Sequence, residues 1–147
     1  MEIINHREYY LSKKRIKKFL NLFEKIYRPR RIIIYEKRMD VLRNIGPVGL
    51  SVFEVILGKT EGLYILDTDT VCVFVFSEND DGDDQQSFQL YSLHALCHEL
   101  RHRFQYKTGK PMTEEDADAF ATLFMKKHAR AIKKIMGWED EWEVEEY

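Results

Sequence analysis

Two histidines and a glutamate in one short segment have the residue types and spacing to hold a metal ion and activate water. His98, Glu99 and His102 form an H-E-x-x-H sequence. On a helix, residues four apart are about 6 Å apart along the axis and close in azimuth, so both imidazoles can reach one Zn²⁺. The glutamate then lies beside the water that such a metal would hold. Chance supplies roughly 0.02 such segments in a chain of this composition, so the segment predicts a metal-dependent hydrolytic site.

A catalytic zinc usually has three protein ligands and one open position, so a third ligand is needed. The start of the last predicted helix offers four carboxylates, on Glu114, Glu115, Asp116 and Asp118. A reversal through residues 109–111 would bring this acidic turn back toward His102. The small side chains of Ala117 and Ala121 would let the two helices approach closely. An acidic first turn that complements the helix dipole explains one or two of the carboxylates but not the alanines.

The H-E-x-x-H segment belongs to a predicted helix from Ser87 to about Lys107 that has two distinct faces. Apolar residues recur on one face at helical spacing, namely Leu93, Leu96, Cys97, Leu100 and Phe104. His98 and His102 point roughly the opposite way, near Tyr91, His94, Gln105 and Tyr106. Core packing therefore does not explain the two histidines and Glu99.

The elements before this helix predict a small sheet. Ser12 is a good N-cap for a first helix that runs to about Tyr27 and ends before Pro29. Four runs predict strands, at 32–35, 50–57, 63–66 and 71–76. The last run is apolar on both faces, which indicates a central strand covered by helices.

Turn signals separate these elements. Gly46-Pro47 and Asp67-Thr68-Asp69 predict turns, and the acidic stretch 78–84 predicts a loop that lacks the ligand spacing of a calcium loop. Thr113 is a good N-cap for a last helix, from Glu114 to about Met136, and Gly137 is expected to end it.

Composition favours a single domain over residues 1–147. The chain is 44% hydrophobic and 33% charged, and its length allows a core without disulfides. The longest apolar run, 71–76, is far too short to cross a bilayer, and the N-terminus does not resemble a signal peptide. The only two cysteines, Cys72 and Cys97, make no disulfide framework, so the expected location is the reducing cytoplasm.

Charge is distributed unevenly along the chain. Residues 1–44 carry 13 Lys/Arg and 5 Asp/Glu, whereas residues 45–147 carry 10 and 20. Much of the basic excess surrounds the apolar stripe of the first helix, and residues 138–147 form an acidic tail with two tryptophans. A solvated helix face explains the lysines, although a basic helix can also contact nucleic acid or an acidic partner.

The two motifs together resemble those of gluzincin metallopeptidases. The H-E-x-x-H segment followed by residues 114–121, Glu-Glu-Asp-Ala-Asp-Ala-Phe-Ala, looks like the pattern H-E-x-x-H … E-x-x-A-[DN]-x-F-A. HtpX-like and CAAX-processing membrane proteases share this pattern with the ImmA/IrrE-like metallopeptidases. The ImmA/IrrE-like family is the nearer in character, with SprT-like proteins as the alternative. The resemblance covers about residues 62–125, and Arg101 departs from the glycine common before the second histidine in ImmA-like proteins.

The resemblance implies a role for each matching residue. His98, His102 and Glu114 would bind one zinc ion, with Asp116 as the fallback third ligand, and Asp118 would orient a ligating imidazole. Glu99 would act as general base for the zinc-activated water that attacks a peptide carbonyl. The strand at 62–66 would offer its edge to an extended substrate. The oxyanion donor stays open, with Tyr106 and His94 as candidates for that role or for the rim of the cleft.

Together, the motifs and predicted elements indicate an α+β fold, a small zincin-like domain. It has an N-terminal helix, a three- to four-stranded mixed sheet, an H-E-x-x-H active-site helix and a C-terminal helix that carries the third ligand. The expected function is a zinc-dependent endopeptidase that acts on a protein or peptide substrate, with a regulator as one such substrate. The alternative is a catalytically weak, metal-containing module that contacts DNA or an acidic partner through the basic N-terminal helix. A further hypothesis is that the acidic tail regulates the protein by folding onto that helix or over the cleft.

Overall fold

The computed structural model describes residues 1–36, 62–75 and 85–138, which form a mixed four-stranded sheet and four α-helices. The strands are β1 (Glu2–Ile4), β2 (Arg31–Tyr35), β3 (Gly62–Ile65) and β4 (Thr70–Phe74). The helices are α1 (Lys13–Leu20), α2 (Gln85–Thr108), α3 (Glu114–Lys127) and α4 (Ala129–Met136), with a short 3-10 helix at Lys25–Tyr27. This confirms the predicted α+β class with a mixed sheet.

The sheet has the order β1-β2-β4-β3, with parallel pairs β1–β2 and β2–β4 and an antiparallel pair β3–β4. β4 lies between two strands and is fully buried, as its apolar pattern predicts. Ile32 pairs with Val71, so alternate side chains of both strands face the helices and join the main core. The opposite face carries a second cluster of Ile33, Tyr35, Cys72 and Phe74. β1 was missed because three residues are too few to show an alternating pattern.

Several sequence-based predictions fall outside the described residues. They are the turn at Gly46-Pro47, the strand at 50–57, the loop at 78–84 and residues 139–147 of the acidic tail. Trp138, which was placed at the start of that tail, is buried in the main core. Its Nε1 donates to Oε1 of Gln89 at 2.7 Å, so this residue packs on the fold directly after Gly137.

The first helix begins as predicted but ends early. Ser12 caps it by accepting a hydrogen bond from the Arg15 amide, yet α1 stops at Leu20 rather than near Tyr27. The carbonyl of Phe23, which a continuous helix would pair with the Tyr27 amide, accepts instead from Nη2 of Arg28. The Tyr27 amide bonds to Glu24 in a 3-10 turn. This tighter turn brings Tyr27 between aromatic side chains of α2 and α3, so tertiary packing overrides the helical pattern.

The predicted last helix is two helices rather than one. α3 ends at Lys127, and His128 has φ −104° and ψ 21°, outside the helical region, before α4 begins at Ala129. The break lets α4 pack against α1 and bury Ile132 and Met136. Gly137, at φ 69°, ends α4 in the left-handed conformation that glycine favours, as predicted.

The helix with the H-E-x-x-H segment packs between the sheet and the following helix. α2 packs on β3 and β4 along one side and on α3 along another. Leu93, Leu96, Cys97 and Leu100 are completely buried, as the helical spacing predicts, and Phe104 packs against the core from its edge. Although α2 is 24 residues long, neither it nor another helix of the described chain has the length and apolar character that a membrane crossing requires.

Candidate metal centre

A tight reversal between α2 and α3 brings the two motifs together. α2 ends at Thr108, and Gly109 follows it with a φ of 71°, a left-handed conformation. The Thr113 hydroxyl then caps α3 by accepting a hydrogen bond from the Asp116 amide. Ala117 and Ala121 are completely buried in the contact between the two antiparallel helices. The small residues therefore allow the close approach that the sequence predicts.

Side chains from both helices converge at this contact. Nε2 of His98 and Nε2 of His102 are 3.0 Å apart. The carboxylate of Glu114 lies against both rings, with Oε2 2.7 Å from Nε2 of His98 and Oε1 3.0 Å from Nε2 of His102. Three groups that commonly bind metal ions therefore meet at one point at the start of α3.

The other ring nitrogens of the two histidines are held by hydrogen-bond acceptors. Nδ1 of His98 lies 2.6 Å from Oδ1 of Asp118, and Nδ1 of His102 lies 2.8 Å from Oε1 of Gln105. A neutral imidazole that donates from Nδ1 has a lone pair on Nε2. Two lone pairs and a carboxylate then face each other, an arrangement that repels itself unless a proton or a metal ion lies between them. The donor set therefore fits a metal ion.

Glu99 is a second carboxylate near the same rings. His98, Glu99 and His102 each bring one ligand-type atom within 4.8 Å of the others, so these three residues also form a cluster that can hold a metal ion. The Glu99 carboxylate, however, is 4.0 Å from Nε2 of His98, farther than that of Glu114. On distance, Glu114 is the better third ligand and Glu99 lies beside the centre.

Glu99 is a buried carboxylate whose protonation is set by its surroundings. Burial raises its pKa to about 7, against the opposing effect of His98, while Glu114 and Asp118 add to the rise. The side chain lies against Gly62, the first residue of β3. A Cβ at this glycine would be 2.9 Å from Cγ of Glu99 and 3.0 Å from the Cys72 carbonyl oxygen, so only glycine leaves room for the glutamate.

Neighbouring elements cover the side of α2 that carries the two histidines. Four residues on this side of α2 are buried, namely Glu99 and three that α3 covers, His94, His102 and Gln105. Glu99 is covered by β3. The Glu114 side chain is 75% exposed, and that of Asp118 is 47% exposed. The centre therefore opens to solvent at the start of α3.

Asp116, the fallback third ligand, faces away from the two Nε2 atoms. Arg101 binds it with two hydrogen bonds, from Nε at 2.8 Å and from Nη2 at 3.2 Å, and this pairing lowers the pKa of the Asp116 carboxyl. Nε2 of Gln105 donates to the same carboxylate at 2.8 Å. The Asp116 carboxylate is therefore occupied by hydrogen bonds from Arg101 and Gln105.

The two candidates for the oxyanion donor lie on different sides of the centre. Nε2 of His94 is 3.1 Å from Oγ1 of Thr122 on α3, and burial lowers the pKa of this imidazole. Tyr106 is about half exposed at the other end of the segment. Both roles stay predictions.

Sequence reasoning missed three residues that shape the site. Gly62 is recognised only from its contact with Glu99, because a glycine at the start of a strand run reads as a turn signal. Gln105 and Arg101 are polar residues on a helix, which usually indicates solvent exposure. The three-residue spacing from His102 to Gln105 was the one available signal, since such residues are neighbours on a helix.

No protein-family model, no curated protein and no solved structure matches this chain.

Proposed function

We propose that this protein is a zinc-dependent endopeptidase of gluzincin type that hydrolyses peptide bonds of a protein substrate. The observation that carries the proposal is the convergence of His98, His102 and Glu114, with Glu99 buried beside them. Two imidazoles and a carboxylate with one side open to solvent are a common donor set of catalytic zinc. The resemblance of both motifs to ImmA/IrrE-like metallopeptidases, with SprT-like proteins as second choice, supports the same assignment.

The spacing of the ligand-type atoms supports zinc. Tetrahedral zinc with bonds of about 2.1 Å separates its ligand atoms by about 3.4 Å. The three distances here are 2.7, 3.0 and 3.0 Å, so these separations would have to increase by about 0.4 to 0.7 Å to accommodate the ion. The hydrogen bond between His98 and Asp118 would hold this imidazole in the ligating orientation.

Glu99 would carry the proton transfers of the reaction. When bound, Zn²⁺ lowers the pKa of a coordinated water and polarises the substrate carbonyl. The Glu99 carboxylate accepts a proton from the attacking water and then delivers it to the leaving amine. Its buried position excludes bulk water from these transfers, and a pKa of about 7 in the metal-free protein is near the value that a general base at neutral pH needs.

An extended substrate would bind along β3. Within residues 1–36, 62–75 and 85–138, β3 pairs only with β4. Gly62 at its start touches Glu99, so a peptide added to the other edge of β3 would pass the general base. Backbone hydrogen bonds would give affinity, and side-chain pockets would select the sequence.

Metal analysis and proteolysis test the proposal together. The purified protein should contain one zinc per chain, and Glu99→Gln should keep the metal and lose hydrolysis of a labelled unfolded protein. Glu114→Gln should weaken zinc binding, whereas the matched control Glu115→Gln, at the exposed next residue, should not. Full zinc retention after both His98 and His102 are changed to alanine would refute the site. Equal cleavage by wild type and Glu99→Gln would refute the mechanism.

A cavity beside the basic helix favours a second candidate function. It has a volume of about 480 Å³ and is lined by Met1, Ile3 and Asn21 together with four lysines, Lys13, Lys14, Lys17 and Lys18. A catalytically weak, metal-containing module could bind DNA or an acidic protein there. DNA binding that weakens steeply with salt, and weakens further when the four lysines become glutamine, would support this function. Salt-independent binding, or none, would exclude it for DNA.

A further inference from the structure

The second histidine of the H-E-x-x-H segment bonds to a buried amide that lies outside the proposed ligand set. Nδ1 of His102 lies 2.8 Å from Oε1 of Gln105, one helical turn along α2. Gln105 is completely buried. A buried amide needs partners for its oxygen and for both N–H groups, since each unsatisfied group is costly. The remaining contacts of Gln105 therefore determine which way its amide faces.

The amide nitrogen of Gln105 faces two oxygens that only accept hydrogen bonds. Nε2 is 3.1 Å from the Thr113 carbonyl oxygen and 2.8 Å from Oδ2 of Asp116. If the amide were flipped, its oxygen would face both of these oxygens and its N–H groups would have no acceptor there. The oxygen of Gln105 must therefore face His102.

The Asp116 carboxylate, which orients Gln105, is itself held by Arg101. Arg101 holds Asp116 with two hydrogen bonds, the geometry in which a guanidinium pairs best with a carboxylate. The guanidinium carbon lies 4.4 Å and 4.9 Å from the ring centroids of Phe104 and Phe120. Its third nitrogen, Nη1, donates to the Tyr27 hydroxyl at 2.7 Å. Arg101 is therefore restrained by contacts on several sides.

We propose that Gln105 is a positioning residue that keeps a proton on Nδ1 of His102 and leaves Nε2 free to bind the metal ion. Arg101 and Asp116 set the direction of the Gln105 amide, and the amide sets the tautomer of the imidazole. His102 has this neutral amide as its partner, whereas His98 has the Asp118 carboxylate. The importance of the tautomer for metal binding rests on the proposed function, but the tautomer itself does not.

The tautomer is measurable in the metal-free protein. Nitrogen-15 NMR of the imidazoles at about pH 8 distinguishes a proton on Nδ1 from a proton on Nε2. We expect a slowly exchanging Nδ1–H on His102. A neutral His102 with its proton on Nε2 would overturn the proposal, even if no variant of Gln105 could be folded.

Two glutamine variants separate positioning from stability. Gln105→Met keeps the size of the side chain but removes its hydrogen bonds, so the Nε2–H tautomer should become populated and zinc affinity should fall about 10- to 100-fold. Gln89→Met is the matched control, because Gln89 is also buried on α2 but bonds to Trp138 and to the Tyr10 carbonyl. The control should lose stability and keep both the tautomer and the zinc affinity of the wild type.

The outcomes distinguish this proposal from the proposed function. Equal zinc affinity in Gln105→Met and Gln89→Met would overturn the positioning role. Failure of the wild type to bind zinc would instead refute the proposed function and with it the metal-binding part of this proposal, while the tautomer would still be decided by NMR. If Gln105→Met binds zinc with wild-type affinity while Gln89→Met does not, His102 needs no such partner.

Discussion

Replacing Glu99 with glutamine should stabilise the metal-free protein at neutral and alkaline pH. In the folded protein, burial raises the pKa of this carboxyl from an ordinary value of 4.5 to about 7. The folded state therefore binds a proton more tightly than the unfolded state, and the free energy of unfolding falls as pH rises from 4.5 through about 7. Glutamine has nearly the same shape and no charge, so the variant avoids this loss.

The size of the effect follows from the same pKa difference. One pKa unit corresponds to about 1.4 kcal/mol, so a rise from 4.5 to about 7 corresponds to about 3 kcal/mol. Glu99→Gln should exceed the wild type by about this amount above pH 7 and should match it near pH 4.5. Zinc should reduce the difference, because a nearby cation stabilises the ionised carboxylate.

Urea unfolding with a chelator present measures the effect. The free energy of unfolding of both proteins is determined from about pH 4.5 to about pH 8, with Glu24→Gln as a control for loss of an exposed carboxylate. The control should differ from wild type by less than about 0.5 kcal/mol. If Glu99→Gln is no more stable than the wild type at the alkaline end, or if its advantage does not depend on pH, the account of a costly buried carboxylate is wrong.

Three further substitutions test contacts around the site. Gly62→Ala should reduce hydrolysis more than zinc content, because its Cβ would displace Glu99; unchanged turnover would show that this contact is unimportant. Asp118→Asn should weaken zinc binding about 10- to 100-fold, measured by competition with a chelating dye, and an unchanged affinity would contradict its orienting role. Asp69→Asn should destabilise the fold by roughly 1–2 kcal/mol near neutral pH. Burial raises the pKa of Asp69, but hydrogen bonds and charge from Arg103 and other donors outweigh it and lower the pKa below its ordinary value of 3.8. The loss of stability in Asp69→Asn should therefore shrink as pH falls below 3.8. A loss of stability that does not change with pH would contradict this.

Local signals predicted the elements that hold the site. Helices begin after Ser12 and Thr113 and end at Gly137, as the sequence predicts. These ends are predictable because a cap depends on one residue and the nearest backbone groups. The apolar run of β4 predicted its central place, since a strand buried on both faces needs apolar residues throughout. The spacing of His98 and His102 put both imidazoles on one face for the same local reason.

Tertiary contacts determine the two helix ends that the local sequence signals did not predict. The apolar stripe of α1 continues past its end, yet the stacking of Tyr27 on α2 and α3 requires a tighter turn. The last helix breaks at His128, where α4 must turn to pack on α1. Neither break has a proline or an internal glycine to mark it, so the pattern of residues predicted continuous helices.

By itself, the sequence determined the residue types of a candidate metal centre, the helix that carries two histidines, and the acidic turn that offers a third candidate ligand. Those features depend on spacing along one helix or one turn. Only the tertiary structure decided that Glu114, rather than Asp116, faces the two histidines. It also decided that Gly62 makes room for Glu99 and that Gln105 faces His102. These choices depend on the packing of α2 against α3 and β3, because the direction of a side chain across an interface is set by the neighbours that it meets there.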